Sequence, residues 1–305
     1  MLGATSETDL SQLAPERVIH VQGFRPHYDA LSARGGQVVP CITDVAEKPA
    51  AAILCLPRAK DAARDLVARA TAWNVPVVVD GQKSDGVDSL YAATRKRCDV
   101  SPAYSKAHGK LFTLAPGADF SDWALPETRQ VADGWHTAPG IFSADGPDPG
   151  SVALADALPE LKGKIADLGA GWGYLTARAL PQSPKIASVH MVEAEYAAVT
   201  AARLNVADDR VQIDWADATT WRAPHQMDHV ISNPPFHTSR KADPALGMAF
   251  ITAAKRMLAP SGSLWLVANR HLPYERALQD SFAEVTPLPG PGGYKLIHAR
   301  KPRRR

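Results

Sequence analysis

Short apolar runs alternate with amphipathic stretches along the chain, most clearly in its second half. Apolar runs bounded by turn residues are typical of buried strands, whereas apolar positions three and four apart indicate helices. The pattern predicts strands at 165–168, 189–192, 211–215, 229–232, 264–268, 284–288 and 294–300. It predicts helices at 151–158, 174–180, 196–205, 246–258 and 274–282, the fourth ended by PSG at 260–262. This alternation indicates a doubly wound sheet that binds ligands at the carboxyl ends of its strands, closed by a terminal hairpin.

The first half carries a weaker version of the same pattern. Apolar runs predict strands at 50–56 and 75–80, and alanine-rich periodicity predicts helices at 60–73 and 89–96. A strand, a helix and a strand at this spacing indicate a parallel α/β layer. No glycine-rich loop follows a strand in this half, so we expect no nucleotide pocket, and its motifs do not repeat those of the second half.

Proline and glycine residues are concentrated between residues 113 and 150. Such residues punctuate turns and loops, so this stretch is predicted to be a linker with surface loops. We place the boundary between two α/β domains within it, which divides the chain into residues 1–125 and 126–305.

Composition limits the class of protein. Charged residues make up 22% of the 305 residues, the net charge is +2, and no apolar run approaches the roughly 20 residues that span a bilayer. The charged fraction is close to that of globular proteins, which excludes wholesale disorder. The polar N-terminus does not resemble a signal peptide, so we predict a cytoplasmic protein. Cys41, Cys55 and Cys98 form no CxxC pair, so we expect neither a disulfide scaffold nor a metal site.

The run DLGAGWG at 167–173 follows a predicted strand and opens a predicted helix. Its glycines allow a sharp turn and a close approach of the backbone to a ligand. A dinucleotide would place its phosphates at the start of this helix, where the negative charge of Asp167 would repel them. A cationic ligand without phosphates, S-adenosylmethionine, fits better. Asp167, Gly169, Ala170 and Gly171 are therefore predicted to bind this cofactor, a purely structural turn being the alternative.

Two further acids follow the next predicted strands. Glu193 ends the first of these strands, where a carboxylate can accept from both ribose hydroxyls, a role shared with dinucleotide-binding folds. Asp217 follows the second, where its carboxylate can accept from an adenine amino group while the backbone N–H of Ala218 donates to a ring nitrogen. Glu195 and Asp214 are the competing acids, and we rank both lower.

The tetrapeptide Asn233-Pro234-Pro235-Phe236 follows the predicted strand at 229–232. A planar exocyclic amine is a poor nucleophile because its lone pair is delocalised into the base. If the side-chain oxygen of Asn233 and the carbonyl of Pro234 accept its two hydrogens, the lone pair turns towards a methyl donor. Phe236 would stack on the base, and catalysis would rest on positioning. We predict all four residues to be catalytic, with Asn233 also contacting the cofactor.

These motifs together resemble class I S-adenosylmethionine-dependent methyltransferases that act on an amino nitrogen. The segments GIFSADGPDPGS at 140–151, SNPPFH at 232–237 and VANRHLPY at 267–274 are similar, more narrowly, to the ribosomal small-subunit methyltransferase C family. The resemblance implies methylation of N2 of a guanosine in ribosomal RNA. It implies as partner ribosomal RNA or a ribosomal subunit, with no membrane, no metal and a monomeric chain.

The same resemblance assigns further residues. Phe142, Ser143, Asp148 and Gly150 are implied to help close the cofactor site. Trp172 is bulkier than the residue usual at its position, and we expect it to alter the lip of the pocket.

The resemblance also implies an α/β fold class with two tandem Rossmann-like methyltransferase domains. Residues 126–305 would be the catalytic domain. Residues 1–125 would lack cofactor motifs, support the catalytic half and contact RNA.

Other functions stay open at this point. An NPP-aromatic motif suits any planar amine, so a protein glutamine or a nucleic-acid adenine is an alternative substrate, and a non-catalytic RNA-binding assembly factor is a third possibility. Arg240 and Lys241 follow the tetrapeptide and are placed to meet the RNA backbone, with His237 near the pocket. The basic tail at 300–305 either contacts phosphates or solubilises the chain.

Overall fold

A computed structural model describes residues 1–235 and 244–304. The chain separates into two compact units, Met1–Glu127 (unit 1) and Thr128–Arg305 (unit 2). The division falls within the stretch predicted to be the linker. Within the part of the chain that the structure describes, every helix is too short or too polar to cross a bilayer.

Unit 1 is an α/β unit with short strands. Its elements are β1 (Ile19–Val21), α1 (Arg25–Ala33), β2 (Gln37–Val39), β3 (Ala52–Cys55), α2 (Lys60–Thr71), β4 (Val77–Gln82), α3 (Val87–Thr94), β5 (Tyr104–Lys106) and β6 (Gly109–Leu114), with 3-10 turns at Pro15–Arg17, Ile42–Asp44, Lys83–Asp85 and Ser121–Trp123. Ala63, Val67 and Ala70 bury one face of α2, as the periodicity predicts. They pack in a core with the inward residues of β4 and β6.

The strands of unit 1 lie in the order β2-β1-Leu2-β3-β4-β6-β5. Leu2 makes single parallel bridges to Val21 in β1 and Leu54 in β3, which joins the β1–β2 pair to the other four strands. The pairs β1–β2 and β3–β4 are parallel, as expected for an α/β layer, whereas β6 is antiparallel to both of its neighbours.

Unit 2 contains a larger number of helices and strands than unit 1. They are β7 (Arg129–Gln130), β8 (His136–Thr137), α4 (Pro149–Ala157), β9 (Lys162–Leu168), α5 (Tyr174–Gln182), β10 (Lys185–Glu193), α6 (Tyr196–Asn205), β11 (Val211–Trp215), β12 (Met227–Ser232), α7 (Pro244–Met257), β13 (Leu258–Asn269), α8 (Glu275–Ser281), β14 (Phe282–Leu288) and β15 (Tyr294–Pro302), with a 3-10 turn at Ala132–Gly134. Each strand and helix predicted for this half is present, and α6 and β11 have the predicted bounds.

The sheet of unit 2 has the order β11-β10-β9-β12-β13-β15-β14. All pairings from β11 to β13 are parallel, and β15 runs antiparallel between β13 and β14, which confirms the predicted hairpin. The chain leaves β9 towards one edge and returns to the other side at β12. The carboxyl ends of β9 and β12 therefore flank the switch point where open α/β sheets bind ligands.

Two apolar layers enclose this sheet. One contains residues of α7 and α8, including Phe250, Ile251 and Leu278, and the other contains residues of α4, α5 and α6, including Leu154 and Leu175. Burial on both faces explains why the last four residues of β9 and the last three of β12 are all buried and do not alternate with exposed ones.

Most predicted element ends are shifted by a few residues, and two predicted segments differ in kind from the structure. Residues 260–262, predicted to end the preceding helix as a turn, lie inside β13, where they form an irregularity between the register pairs Met227–Leu258 and His229–Ser263. The predicted basic tail begins inside β15. Arg300 and Lys301 pair with Glu284, and Arg303 donates to the carbonyl oxygens of Gln279 and Phe282.

Candidate active site

The glycine loop joins β9 to α5. Gly169, Gly171 and Gly173 all have positive φ, at 69°, 57° and 94°, which strains any other residue. A Cβ on Gly173 would lie 2.9 Å from Met191 Cε and from Val206 Cγ2. A Cβ on Gly171 would have no heavy atom of the described residues within 4 Å. Because Gly173 has no side chain, the loop can pack this closely against Met191 and Val206. The open space at Gly171 leaves room for a ligand.

Glu193, at the end of β10, is fixed to this loop. Its Oε2 accepts from the backbone N–H of Gly171 at 2.8 Å, and its Oε1 accepts from that of Glu195 at 2.7 Å. Burial raises the pKa of Glu193, while these backbone donors act in the opposite direction. Each carboxylate oxygen keeps a second lone pair, so the group remains able to accept from a pair of hydroxyls.

Asp167, at the end of β9, lies fully buried under the loop. Thr176 Oγ1 donates to its Oδ2 at 2.7 Å, whereas no group in the described residues donates to Oδ1. Burial raises the pKa of Asp167 to about 7, and the nearby charge of Glu193 raises it as well. A buried acceptor without a donor is costly, and a cationic ligand above the loop would offset part of that cost.

Asn233 follows β12, whose end is tied to β9 because Ser232 Oγ donates to the carbonyl of Leu168 at 2.7 Å. The Nδ2 group of Asn233 donates to Asp148 Oδ2 at 3.0 Å and to Ser151 Oγ at 2.8 Å. Pro234 is buried and Pro235 is exposed. Phe236, like His237, Arg240 and Lys241, lies outside the described residues.

The segment before α4 forms one wall of the site. Phe142 is 57% exposed, and Ser143 adopts a φ of 56° with its Oγ donating to the carbonyl of Gly146 at 2.6 Å. Trp172 Nε1 donates to the carbonyl of Ser143 at 3.2 Å, and its ring packs against Trp135. Trp172, expected to alter the lip of the pocket, is itself buried and anchors this wall.

One pocket brings together seven of the fifteen predicted site residues, whereas Gly150, Asp167, Glu193, Pro234 and Pro235 lie outside its lining. Its lining consists of Phe142, Ser143, Asp148, Ser151, Gly169, Ala170, Gly171, Trp172, Tyr174, Leu175 and Asn233. Ser151, Tyr174 and Leu175 were not predicted as site residues, although Ser151 belongs to the same short motif as Asp148. Gly150 packs behind the wall, where a Cβ would lie 2.8 Å from Tyr294 Cε1.

Asp217 and Ala218 lie beyond that lining, after β11. Asp217 Oδ1 accepts from the N–H of Thr219 at 2.8 Å and from its hydroxyl at 2.7 Å, which fixes the turn, and Ala218 is buried. The competing Asp214 instead contacts His190 Nδ1 at 2.8 Å. The geometry therefore favours Asp217 over Asp214 as the acid available to a ligand.

The residues present suit S-adenosylmethionine. The buried carboxylate of Asp167 lies under the loop, the paired oxygens of Glu193 lie beside it, and the position at Gly171 is open. Across residues 1–235 and 244–304, no three His, Cys, Asp or Glu side chains converge in a way that could hold a metal ion.

Comparison with known proteins places the chain among methyltransferases. Residues 134–298 match the methyltransferase small domain. A ribosomal RNA small subunit methyltransferase C from Hahella chejuensis is 32% identical over 230 residues, which cover 72% of this chain and 67% of the relative. One from Shewanella loihica is 27% identical over 296 residues, covering 92% and 85%. The solved T. thermophilus 16S rRNA N2 G1207 methyltransferase, in complex with AdoMet and guanosine, has a similar fold, with a TM-score of 0.77 at 24% identity, covering 93% of this chain and 82% of that one.

Proposed function

The chain belongs to the ribosomal RNA small subunit methyltransferase C family, and from that membership we propose that it methylates the exocyclic N2 amine of a guanosine in small-subunit ribosomal RNA. S-adenosylmethionine, when bound, supplies the methyl group on a positively charged sulfur. The proposal rests above all on Asn233, whose amide stands at the carboxyl end of β12 in the same pocket as the glycine loop.

Each part of the cofactor has a matching group in unit 2. Glu193 is placed to accept from the ribose hydroxyls, and Asp217 with the N–H of Ala218 is placed to bind the adenine. Gly169, Ala170 and Gly171 allow the close approach, and the ionised form of Asp167 attracts positive charge. Phe142, Ser143, Asp148 and Gly150 belong to the wall that closes this side of the pocket.

The residues after β12 hold the reacting amine. The Asn233 side-chain oxygen and the Pro234 carbonyl each accept one of its hydrogens, which turns the nitrogen lone pair towards the methyl group. The new N–C bond forms as the C–S bond breaks, and the nitrogen, now cationic, then releases a proton to water. No strong base is needed before transfer, so the chain contributes by positioning the amine. A misplacement of about 1 Å can lower the rate of such a reaction about 100-fold. Pro235 stiffens this segment, and Phe236 is proposed to stack on the base.

A labelled methyl-transfer assay tests this function. Small subunits, large subunits and deproteinised RNA are incubated separately with the protein, and the products are digested for nucleoside mass analysis. We expect N2-methylguanosine from a small-subunit substrate. Asn233→Ala should lower the rate about 100-fold. Gln279→Ala, on the exposed side of α8, is the control and should leave the rate unchanged.

The products separate the alternatives. Methyladenosine or a methylated protein would retain methyl transfer and reject the guanine substrate. Absence of transfer to every substrate, with no S-adenosylmethionine binding by calorimetry, would reject the enzyme in favour of a binding factor.

We propose further that unit 1 is a second Rossmann-like methyltransferase domain without cofactor chemistry. Its strand order, β2-β1-Leu2-β3-β4-β6-β5, corresponds position by position to the order of the sheet in unit 2. Leu2 takes the place of β9, and Gly3, which follows it, has a φ of 78° compared with 69° for Gly169.

Side chains at corresponding places support this view. Gln22 follows β1 as Glu193 ends β10, and its Oε1 accepts from the N–H two residues later, that of Phe24, at 2.8 Å. Its Nε2 donates to the carbonyl of Ala4 at 2.6 Å, in the loop after Gly3. The amide thus keeps one contact of Glu193 and reaches the same loop through the other, but it donates to a carbonyl where Glu193 accepts from an N–H, and it carries no charge. Leu2 pairs with Leu54 as Leu168 pairs with Ser232, so Cys55 takes the place of Asn233, and it has no amide to hold an amine.

Unit 1 is proposed to contact RNA through a basic surface formed by Arg58, Lys60, Lys83, Lys106 and Lys110. Lys83 lines two neighbouring cavities, one with Lys106 and Lys110 and the other with Arg58 and Lys60. Phosphate contacts of this kind position a protein on RNA without reading its sequence. Because the whole proposed methyl-transfer site comes from unit 2 of one chain, we propose a monomer as the active form.

A further inference from the structure

The N-terminus of α4 meets Asn233 from a distant part of the sequence. Asp148 is the N-cap of this helix, and its Oδ2 accepts from the backbone N–H of Ser151 at 2.9 Å. The same oxygen accepts from Asn233 Nδ2 at 3.0 Å, and Ser151 Oγ lies 2.8 Å from that nitrogen. Both hydrogens of the amide nitrogen are therefore used within the protein.

The chemistry of Asp148 decides which way the amide faces. An amide has a donor end and an acceptor end of nearly equal size, and its orientation depends on the neighbouring groups. A carboxylate can only accept, so the NH2 end of Asn233 must face Asp148. The amide oxygen is then directed to the other side of the group. In the reversed orientation two acceptors would face each other at Asp148, and a donor would face the substrate amine.

We propose that Asp148 and Ser151 are positioning residues, which hold the Asn233 amide so that its oxygen, and not its nitrogen, meets the amine to be methylated. The proposal rests on the proposed function. It gives Asp148 a role towards Asn233 in place of direct contact with the cofactor.

The surroundings of Asp148 support a fixed carboxylate. A Cβ on Gly150 would lie 2.9 Å from Asp148 Oδ2 and 2.8 Å from the Tyr294 ring, so a glycine is required for these groups to pack this closely. Ser151 is buried, and a negative charge at a helix N-terminus is favourable.

Three substitutions separate positioning from helix capping. Asp148→Ser keeps a good N-cap but is too short to reach Asn233, whereas Asp148→Asn keeps both the cap and a carbonyl oxygen at the same distance. Ser151→Ala removes only the second acceptor. We expect kcat to fall about 10-fold in Ser151→Ala and about 100-fold in Asp148→Ser combined with Ser151→Ala. Asp148→Asn should recover most of the activity lost in Asp148→Ser, with the Kd for S-adenosylmethionine unchanged throughout.

Other outcomes reject the proposal. Equal kcat in Asp148→Ser and the parent protein would reduce Asp148 to a helix cap. A weaker Kd for S-adenosylmethionine in both Asp148 variants, with kcat preserved at saturation, would make it a cofactor contact.

A second measurement does not depend on catalysis. The side-chain NH2 signals of Asn233 are identified in 15N NMR spectra by their loss in Asn233→Asp. In the ligand-free protein we expect their hydrogen exchange to be protected, and the protection to be lost in the double variant. Rapid exchange in the parent protein would overturn the proposal even if methyl transfer is observed. Protected signals without any methyl transfer would instead leave the orientation intact and reject the proposed function.

Discussion

Asp167 lies wholly inside unit 2, beneath the loop whose ligand it is proposed to attract. Its pKa of about 7 means that the carboxyl is largely protonated below that pH and ionised above it. Only the ionised form attracts a cationic ligand. The charge of the site therefore changes within the range in which cells operate.

We expect the affinity for S-adenosylmethionine to rise as the pH increases from about 6 to 7.5, because binding favours the ionised form of Asp167. Isothermal titration calorimetry at several pH values measures this slope. Asp167→Asn should bind more weakly near pH 7.5 and lose most of the slope.

Glu195 is the control for that experiment. Burial, together with the charge of Glu193, raises the pKa of Glu195 to about 7 as well. Glu195→Gln should retain the slope if Asp167 is its source. If the slope is lost in Glu195→Gln and persists in Asp167→Asn, the pH dependence comes from Glu195, and the role given to Asp167 is rejected.

Among single residues, the location of those at strand ends could be predicted from the sequence. Contacts between residues far apart in the sequence could not. Glu193 and Asn233 follow apolar runs, and the carboxyl ends of parallel strands share one edge of the sheet. The contact of Asn233 with Asp148 joins residues 85 apart in sequence. Local patterns carry no signal for it, so Asp148 was predicted as part of the cofactor site through family resemblance alone.

At the scale of elements, the strongly periodic segments were predicted well because their burial is reflected in local patterns. In unit 1 the helix α1 and the strands β1, β2, β5 and β6 were missed. The strands β1 and β2 have three residues each, and their place in the sheet depends on the distant Leu2. Residues 260–262 were misread because turn residues also occur in a strand irregularity.

Gly247 illustrates a helix position that depends on its neighbour. A Cβ there would lie 1.9 Å from Tyr274 Oη and 2.2 Å from Cζ, and the Tyr274 ring is fully buried. We expect Gly247→Ala to lower the free energy of unfolding by about 1–3 kcal/mol through overpacking, although alanine is the better helix former. Urea unfolding followed by tryptophan fluorescence measures the change.

Gly292→Ala is the matched control for this substitution. A Cβ on Gly292 meets no heavy atom of the described residues within 4 Å, so we expect its effect to stay within about 0.5 kcal/mol. A gain of stability in Gly247→Ala would mean that Tyr274 moves aside at little cost.

At the scale of the whole molecule, the two units have the same strand order but different side chains at corresponding strand ends, such as Gln22 in unit 1 and Glu193 in unit 2. The sequence shows no repeat because the correspondence lies in strand order and hydrogen-bond positions, for example Gln22 and Glu193, and not in shared motifs. If unit 1 does not bind the cofactor, its charged surface can bind the RNA substrate instead. That division of labour predicts that RNA affinity and cofactor affinity respond to different substitutions.

The basic surface of unit 1 provides the test. Lys83 and Lys106 are both exposed on it. Each lysine that contacts a phosphate adds about 1 to the slope of log K against log salt concentration, because binding releases counterions. Lys83→Ala with Lys106→Ala should therefore weaken RNA binding and reduce that slope by about 2, with the Kd for S-adenosylmethionine unchanged.

Lys48→Ala is the control, because Lys48 is exposed beside a different cavity of unit 1, and it should change neither quantity. An equal loss in the control would mean that net charge alone governs RNA binding, and an unchanged slope in the double variant would place the RNA on another surface.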